Sequence, residues 1–110
     1  MKLPNNERAV VDIDKLRNYC LNPEHRRGCH KVRVFAASLG LTTDHAADLR
    51  TALLAAARNN EATPAELDEY GARYMVDFMA IGPLGQAMIR SSWIIRRGED
   101  FPRLTSCYVL

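Results

Sequence analysis

The residues best suited to chemistry lie together between positions 25 and 31. The run His25-Arg26-Arg27-Gly28-Cys29-His30-Lys31 places two imidazoles, two guanidinium groups and an ammonium group around one glycine. A helix is predicted to begin near Cys29, and backbone N–H groups at a helix N-terminus favour an anion. Because imidazole exchanges protons near neutral pH, the run predicts a phosphate site with acid–base capacity. A solvated basic loop is the alternative that composition leaves open.

The same stretch contains four side chains that ligate zinc in other proteins. They are Cys20, His25, Cys29 and His30, all within eleven residues. Adjacent residues reach one tetrahedral centre with difficulty, and structural zinc ligands usually come as pairs that flank a longer loop. We therefore expect no metal and no cofactor.

Composition indicates a single intracellular domain. The chain has 110 residues, 47% of them hydrophobic and 25% charged, with a formal net charge of +2. The sequence has no apolar run near the roughly 20 residues of a membrane span, and its N-terminus lacks the apolar stretch of a secretory signal. Three cysteines without a CxxC pair do not make a disulfide framework. We expect a cytoplasmic protein without membrane contact.

Hydrophobic periodicity changes near position 60. Helical spacing predicts a helix that begins after Asp12 and ends before Pro23, a second from near Cys29 to Gly40, and a third from Thr43 to about position 58. Alternation then predicts strands at 73–78, 87–96 and 104–109, with a weaker one at 65–68 and turns at 82–85 and 97–100. The predicted fold is α+β, one domain over 1–110: two to three N-terminal helices (1–60) packed on one face of a four-stranded antiparallel sheet (61–110).

Alternation along the strands also sorts the side chains. Ser91 and Trp93 share one face of the third predicted strand, and Arg90 lies on the other. On the last strand, alternation places Leu104, Ser106 and Tyr108 opposite Arg103, Thr105 and Cys107. Trp93 is predicted either to pack in the core or to form a platform for a nucleobase. Arg73 is predicted either to bind substrate or to form a surface pair with Asp77.

Two groups of residues resemble a bacterial domain family with the signature K-L-x-x-Y-x-L-N-P-x-H-x-x-G-x-x-K. The first group runs from Lys15 to His25 and includes Gly28 and Lys31; the second includes 90–95, 98–100, 102–104 and 106–108. Members of that family occur as small stand-alone proteins and as C-terminal tips of polymorphic toxins. The resemblance implies a toxin with a small antitoxin or immunity protein encoded nearby.

The order of helices and strands is also similar to the metal-independent ribonuclease superfamily of barnase, EndoU, colicin D and RelE. This resemblance implies an endoribonuclease, with tRNA the favoured RNA substrate. It assigns catalysis to His25, Lys31, Ser91 and Trp93. Six further residues are predicted to bind the substrate through positive charge or hydrogen bonds: Arg26, His30, Arg73, Arg90, Arg103 and Ser106. The chain departs from the family at Arg26, where proline is usual, and at His30, where relatives often have an ordinary residue.

A non-enzymatic interpretation stays open beside the toxin interpretation. The same basic loop and arginine-rich strands suit a module that binds nucleic acid or an acidic protein without chemistry. Such a module could be the inhibitory member of the pair. Expression of the chain alone separates the two interpretations, because a toxin arrests growth by itself.

Overall fold

A four-stranded antiparallel sheet forms the second half of the chain. The structure, a computed structural model, describes residues 1–17, 21 and 39–110. The strands are β1 (Ala62–Asp68), β2 (Gly71–Gly82), β3 (Gly85–Arg96) and β4 (Arg103–Val109). They lie in the order β1-β2-β3-β4, so each strand pairs with its neighbour in sequence. This arrangement confirms the predicted α+β fold and its antiparallel sheet.

The helices before the sheet differ in part from the prediction. Helix α1 (Ile13–Lys15) begins at the predicted cap, where the Asp12 carboxylate accepts the N–H of Asp14 over 2.9 Å. Leu16 and Arg17 continue it in π-helical conformation, and the Leu21 N–H donates to the Leu16 carbonyl over 2.8 Å. Apart from Leu21, the rest of the predicted helix up to Pro23 lies outside the described residues. The second predicted helix lies outside the described residues except for its end, where Leu39 is helical and Gly40 has a φ of +71°. The third is α2 (Ala46–Asn59), the one long helix in the described part of the chain.

A 3-10 turn at Thr43–His45 leads into α2. The cap of this turn is Thr42, one residue before the predicted Thr43. The Thr42 N–H donates to His45 Nδ1 over 3.0 Å, so the imidazole satisfies a backbone donor at the start of the turn. This bond gives His45 a structural task.

Helix α2 packs on one face of the sheet, as predicted. Its buried residues are mainly leucine and alanine, and the facing strands contribute Val76, Phe78, Ile89 and Trp93 to the same cluster. Trp93 heads the largest fully buried side chains of the described residues. We call this the core face, and the opposite one the outer face.

A β-bulge in β4 changes which side chains reach the core. Trp93 pairs with Leu104 whereas the preceding residue, Ser92, pairs with Ser106. The extra residue, Thr105, breaks the alternation. Leu104 and Cys107 therefore both reach the core, where they are 5% and 1% exposed. The simple alternation expected for this strand, with Leu104 and Ser106 on one face, is wrong for this reason.

The β2–β3 hairpin extends beyond its neighbours. Strand β1 begins at Ala62, which pairs with Val76, so residues 77–82 of β2 have no partner in β1. On the other side β4 ends at Val109, opposite Ile89. We call residues 77–88 the projecting hairpin. Its turn matches the predicted one at 82–85, and the Leu84 N–H donates to the Leu39 carbonyl over 3.2 Å.

Candidate functional site

The predicted acid–base segment lies outside the described residues. This applies to His25, Arg26, His30 and Lys31, and to the zinc alternative, which needs Cys20 and Cys29 as well. Their roles remain predictions. Within 1–17, 21 and 39–110, no group of three or more His, Cys, Asp or Glu side chains is placed to hold a metal ion.

Ser91 and Trp93 form a hydrogen-bonded chain inside the core. The Trp93 indole N–H donates to Ser91 Oγ over 2.9 Å, and that hydroxyl donates to the Val76 carbonyl over 2.7 Å. Both residues are 0% exposed. This is the core packing that the sequence left open for Trp93, and it contradicts a base-stacking surface there. The hydroxyl of Ser91 is equally committed to the core.

The other described candidates share the outer face. Pairing in the sheet places Arg73 beside Ile94, Ile94 beside Arg103, and Ser92 beside Ser106. Arg90 lies between Asp77 and Tyr108 on the same face. The structure thus brings Arg73, Arg90, Arg103 and Ser106 to one surface and puts Ser91 and Trp93 on the opposite side of the sheet.

Arg90 and Arg73 are each bound to a carboxylate. Arg90 makes two hydrogen bonds of 2.9 Å to the two carboxylate oxygens of Asp77. Arg73 Nε donates to Asp68 Oδ2 over 2.8 Å. The surface pair of Arg73 with Asp77 that the sequence allowed is therefore wrong, because Asp77 is held from the neighbouring strand.

Arg103 has the same type of partner. Its guanidinium group makes two hydrogen bonds to Glu99, of 2.9 and 2.8 Å. Hydrogen bonds from the arginines lower the pKa values of the Asp77 and Glu99 carboxyl groups, and the carboxylates in turn raise the pKa values of Arg90 and Arg103. Each pair is about one third exposed, so water screens it. A phosphate would have to compete with a carboxylate at each of these positions.

Shallow grooves cross the outer face and its margin. One of about 390 Å³ is lined by Arg73, Met75, Ser92, Thr105 and Ser106 among others. A second, of about 480 Å³, lies between Asn60 and the Asp77–Arg90 pair. A third, of about 430 Å³, follows the margin of β2 beside α2. These grooves offer hydroxyls, paired charges and apolar side chains, which suits binding more than proton transfer.

Sequence reasoning missed the apolar side chains of the projecting hairpin. Met79, Ile81 and Met88 lie on the outer face and are 53%, 83% and 38% exposed. The signal was present, because apolar residues continue at odd positions of β2 after Asp77, on the face opposite Phe78. A strand that is apolar on both faces at its end indicates a surface that another molecule covers.

The family model of DUF6883, described as a domain of unknown function, matches residues 2–110. The chain belongs to this family. No curated protein matches it. The part of this DUF6883 chain that the structure describes contains no helix long and apolar enough to cross a membrane.

A solved structure has a similar fold. It is a chain of a "Contact-dependent growth inhibition toxin - immunity protein complex from Klebsiella pneumoniae 342", with a TM-score of 0.68. The similarity covers 92% of this DUF6883 chain and 99% of the other chain, at 19% sequence identity. At that identity the comparison shows a shared fold.

Proposed function

We propose that the chain is the toxin member of a toxin–immunity pair and acts as a metal-independent endoribonuclease, with tRNA the favoured substrate. The observation that carries this proposal is the fold shared with a chain of a growth-inhibition toxin–immunity complex, over 92% of one chain and 99% of the other. The resemblance of the 15–31 motif to a family that includes toxin tips supports the same choice. Such a toxin acts in the cytoplasm, where its RNA is.

Histidine is the residue type that we propose for proton transfer. The chain has three histidines. His45 already accepts the Thr42 N–H at the start of the 3-10 turn. We therefore assign proton transfer to His25, with His30 as the second imidazole. A positioned histidine typically contributes about 10²–10⁴-fold to such a reaction.

The charge that stabilises the phosphate is assigned to the same segment. Arg73, Arg90 and Arg103 are each bound to a carboxylate, so their net contribution to an anionic site is small. Lys31 is proposed to hold the phosphate in the transition state, and Arg26 to bind the RNA backbone. Ser91 and Trp93 are given no role in catalysis, because both side chains are buried in the core.

A second function is favoured by the paired arginines. With these three cations neutralised, the outer face resembles a protein-binding surface more than a nucleic-acid groove. That fits a non-enzymatic module, including the inhibitory member of a pair. Growth separates the two functions: a toxin arrests the cells that express it alone, and an inhibitor does not.

The test of the proposed function is RNA cleavage by the purified chain. Total RNA incubated with the chain and EDTA should give discrete ends, which sequencing assigns to tRNA or another class. His25→Ala and Lys31→Ala should each lower the rate at least a hundredfold. His45→Ala is the matched control, because it also removes an imidazole but should retain the rate. Equal cleavage by all four proteins, or cleavage by none, would contradict the proposal.

A further inference from the structure

We infer that the margin of β2 at residues 77–81, which pairs with no described strand on its β1 side, binds an extended strand of the immunity protein, which would continue the sheet in line with β1. This inference rests on the proposed function for the identity of the partner. It rests on the structure for the place and the mode of binding. The mode is β-augmentation, in which backbone hydrogen bonds give affinity and alternate side chains give specificity.

Backbone polar groups of this segment point to the side where β1 does not reach. The Asp77 carbonyl accepts a hydrogen bond of 3.2 Å from the side-chain amide of Asn60, which lies just before β1. Polar groups alternate in direction along an antiparallel strand, so the N–H and C=O groups of Met79 and Ile81 point to this same side. Val76, Phe78 and Ala80 direct theirs to β3. No described segment outside the sheet bonds to Met79 or Ile81.

A groove beside this margin has room for another strand. It has a volume of about 430 Å³ and runs between the C-terminal half of α2 and the strand. The helix contributes small side chains, Ala52, Ala55 and Ala56, and the strand contributes Phe78 and Met79. Because alanines face the groove, side chains of an added strand can approach the helix closely.

Exposed apolar side chains flank the same margin. Met79 pairs with Met88 across the hairpin, and Ile81 follows at the next outward position with 83% of its surface exposed. Methionine adapts its shape to different surfaces and is common where proteins bind partners. A strand added here would cover part of this apolar surface.

The two parts of this sheet margin are protected differently. Strand β1 carries Pro64, Glu66 and a bulge between Pro64 and Leu67, which are devices that discourage strand addition. Residues 77–81 contain no proline and have regular pairing with β3 throughout. Residues 77–81 therefore have the regular backbone geometry that an added strand requires.

Charge favours a protein strand over nucleic acid. Beside the margin, Asp77 is bound to Arg90, and Glu61 is bound to the N-terminal ammonium group. Lys2 also lies near Glu61 and helps to lower the pKa of that carboxyl group. An RNA backbone would therefore meet two carboxylates whose charges repel its own. A second copy of the chain would pair with this segment over about five residues alone. The surface area buried in that way is far smaller than the roughly 800 Å² per partner that specific complexes usually bury.

Binding of the purified product of the adjacent gene, measured by calorimetry, tests this inference. Met79→Pro removes the N–H that faces the margin, whereas Met79→Ala keeps it. We expect Met79→Pro to weaken binding at least tenfold and at least fivefold more than Met79→Ala. Ile81→Lys should also weaken it at least tenfold. Leu67→Lys is the matched control, since Leu67 is likewise 83% exposed, and should change binding less than twofold.

Hydrogen exchange and solution mass complete the experiment. The amides of Met79 and Ile81 should exchange freely in the isolated chain and become protected in the complex. Unchanged affinity in Met79→Pro, no protection at 79 and 81, or no binding of the adjacent protein would each overturn the inference. A dimer of the isolated chain that Met79→Pro dissociates would also overturn it, in favour of a second copy. Circular dichroism verifies that the variants fold, and RNA cleavage without partner tests the proposed function separately.

Discussion

Trp93 is tied to Ser91 by a buried hydrogen bond of 2.9 Å from the indole N–H to the serine hydroxyl. The hydroxyl continues the connection to the Val76 carbonyl, so the bonds link β3 to β2 within the core. A Ser-x-Trp pair on a strand thus gives a polar connection between two strands here. The pair explains how a tryptophan with a polar N–H is fully buried without an unsatisfied donor.

This connection predicts a large effect of Ser91→Ala on stability. The substitution removes the acceptor of the indole N–H, and leaving a buried polar group unpaired costs about 1–3 kcal/mol. Denaturant unfolding should show a loss of that size. Ser106→Ala is the comparison, because Ser106 is partly exposed on the outer face, and it should change stability by less than about 0.5 kcal/mol. Equal losses for the two variants would refute the structural role of Ser91.

Gly82, at the turn of the projecting hairpin, is the second position where we expect a substitution to lower stability. A Cβ at this position would lie 2.1 Å from the Leu39 carbonyl oxygen, which belongs to the backbone and has little room to move. We expect Gly82→Ala to destabilise the chain by about 1–3 kcal/mol, the usual cost of overpacking.

The control for Gly82 is Gly98→Asn. Gly98 has a φ of +82°, but a Cβ added there would meet no described atom within 4 Å beyond its chain neighbours. Asparagine tolerates this backbone conformation. Thermal unfolding of Gly98→Asn should lie close to that of the parent. Gly82 itself has no positive φ, so contact with Leu39 is what distinguishes it, and unchanged stability of Gly82→Ala would contradict this prediction.

The sheet could be predicted from sequence because its signals are local. Alternating side chains and the glycines of two turns located β2, β3 and β4 to within two residues at most ends, although β2 runs four residues further than predicted. The bulge at Thr105 could not be predicted, since it depends on the register with β3. Without it, alternation put Ser106 on the same face as Leu104.

The candidate site was harder to predict than the fold. Arg73, Arg90 and Arg103 are conspicuous as cations in the sequence, but whether they are available to a ligand depends on carboxylates in other turns and strands. The partner of Arg90 is set by cross-strand register, which a single sequence does not specify. The projecting hairpin likewise follows from the different lengths of β1 and β2. The residue types therefore suggested which side chains could bind an anion. Strand register and ion pairs determine which of them are available to do so.

The Asp77–Arg90 pair predicts a pH dependence of stability. Hydrogen bonding to Arg90 lowers the pKa of Asp77 below its ordinary value of 3.8. A carboxyl group with a lower pKa in the folded state contributes stability above its ordinary value, and this contribution is lost as pH falls through the lower folded value. The urea midpoint of the parent should thus fall below about pH 4. Asp77→Asn and Arg90→Gln should each flatten this fall, and the double variant should flatten it no further.

The same pair also predicts how the chain binds RNA if the cationic segment at 26–31 carries the affinity. Removing both charges, with Asp77→Asn and Arg90→Gln together, leaves the net charge unchanged. In a His25→Ala background that prevents cleavage, the affinity for single-stranded RNA should then stay within twofold of the background. Lys31→Gln in that background should instead weaken binding, and it should reduce the slope of log K against log salt by about 0.7 for one phosphate contact. Fluorescence anisotropy over a salt series measures both quantities. A lower slope in the neutral double variant, with none in Lys31→Gln, would move the RNA-binding surface to the outer face of the sheet.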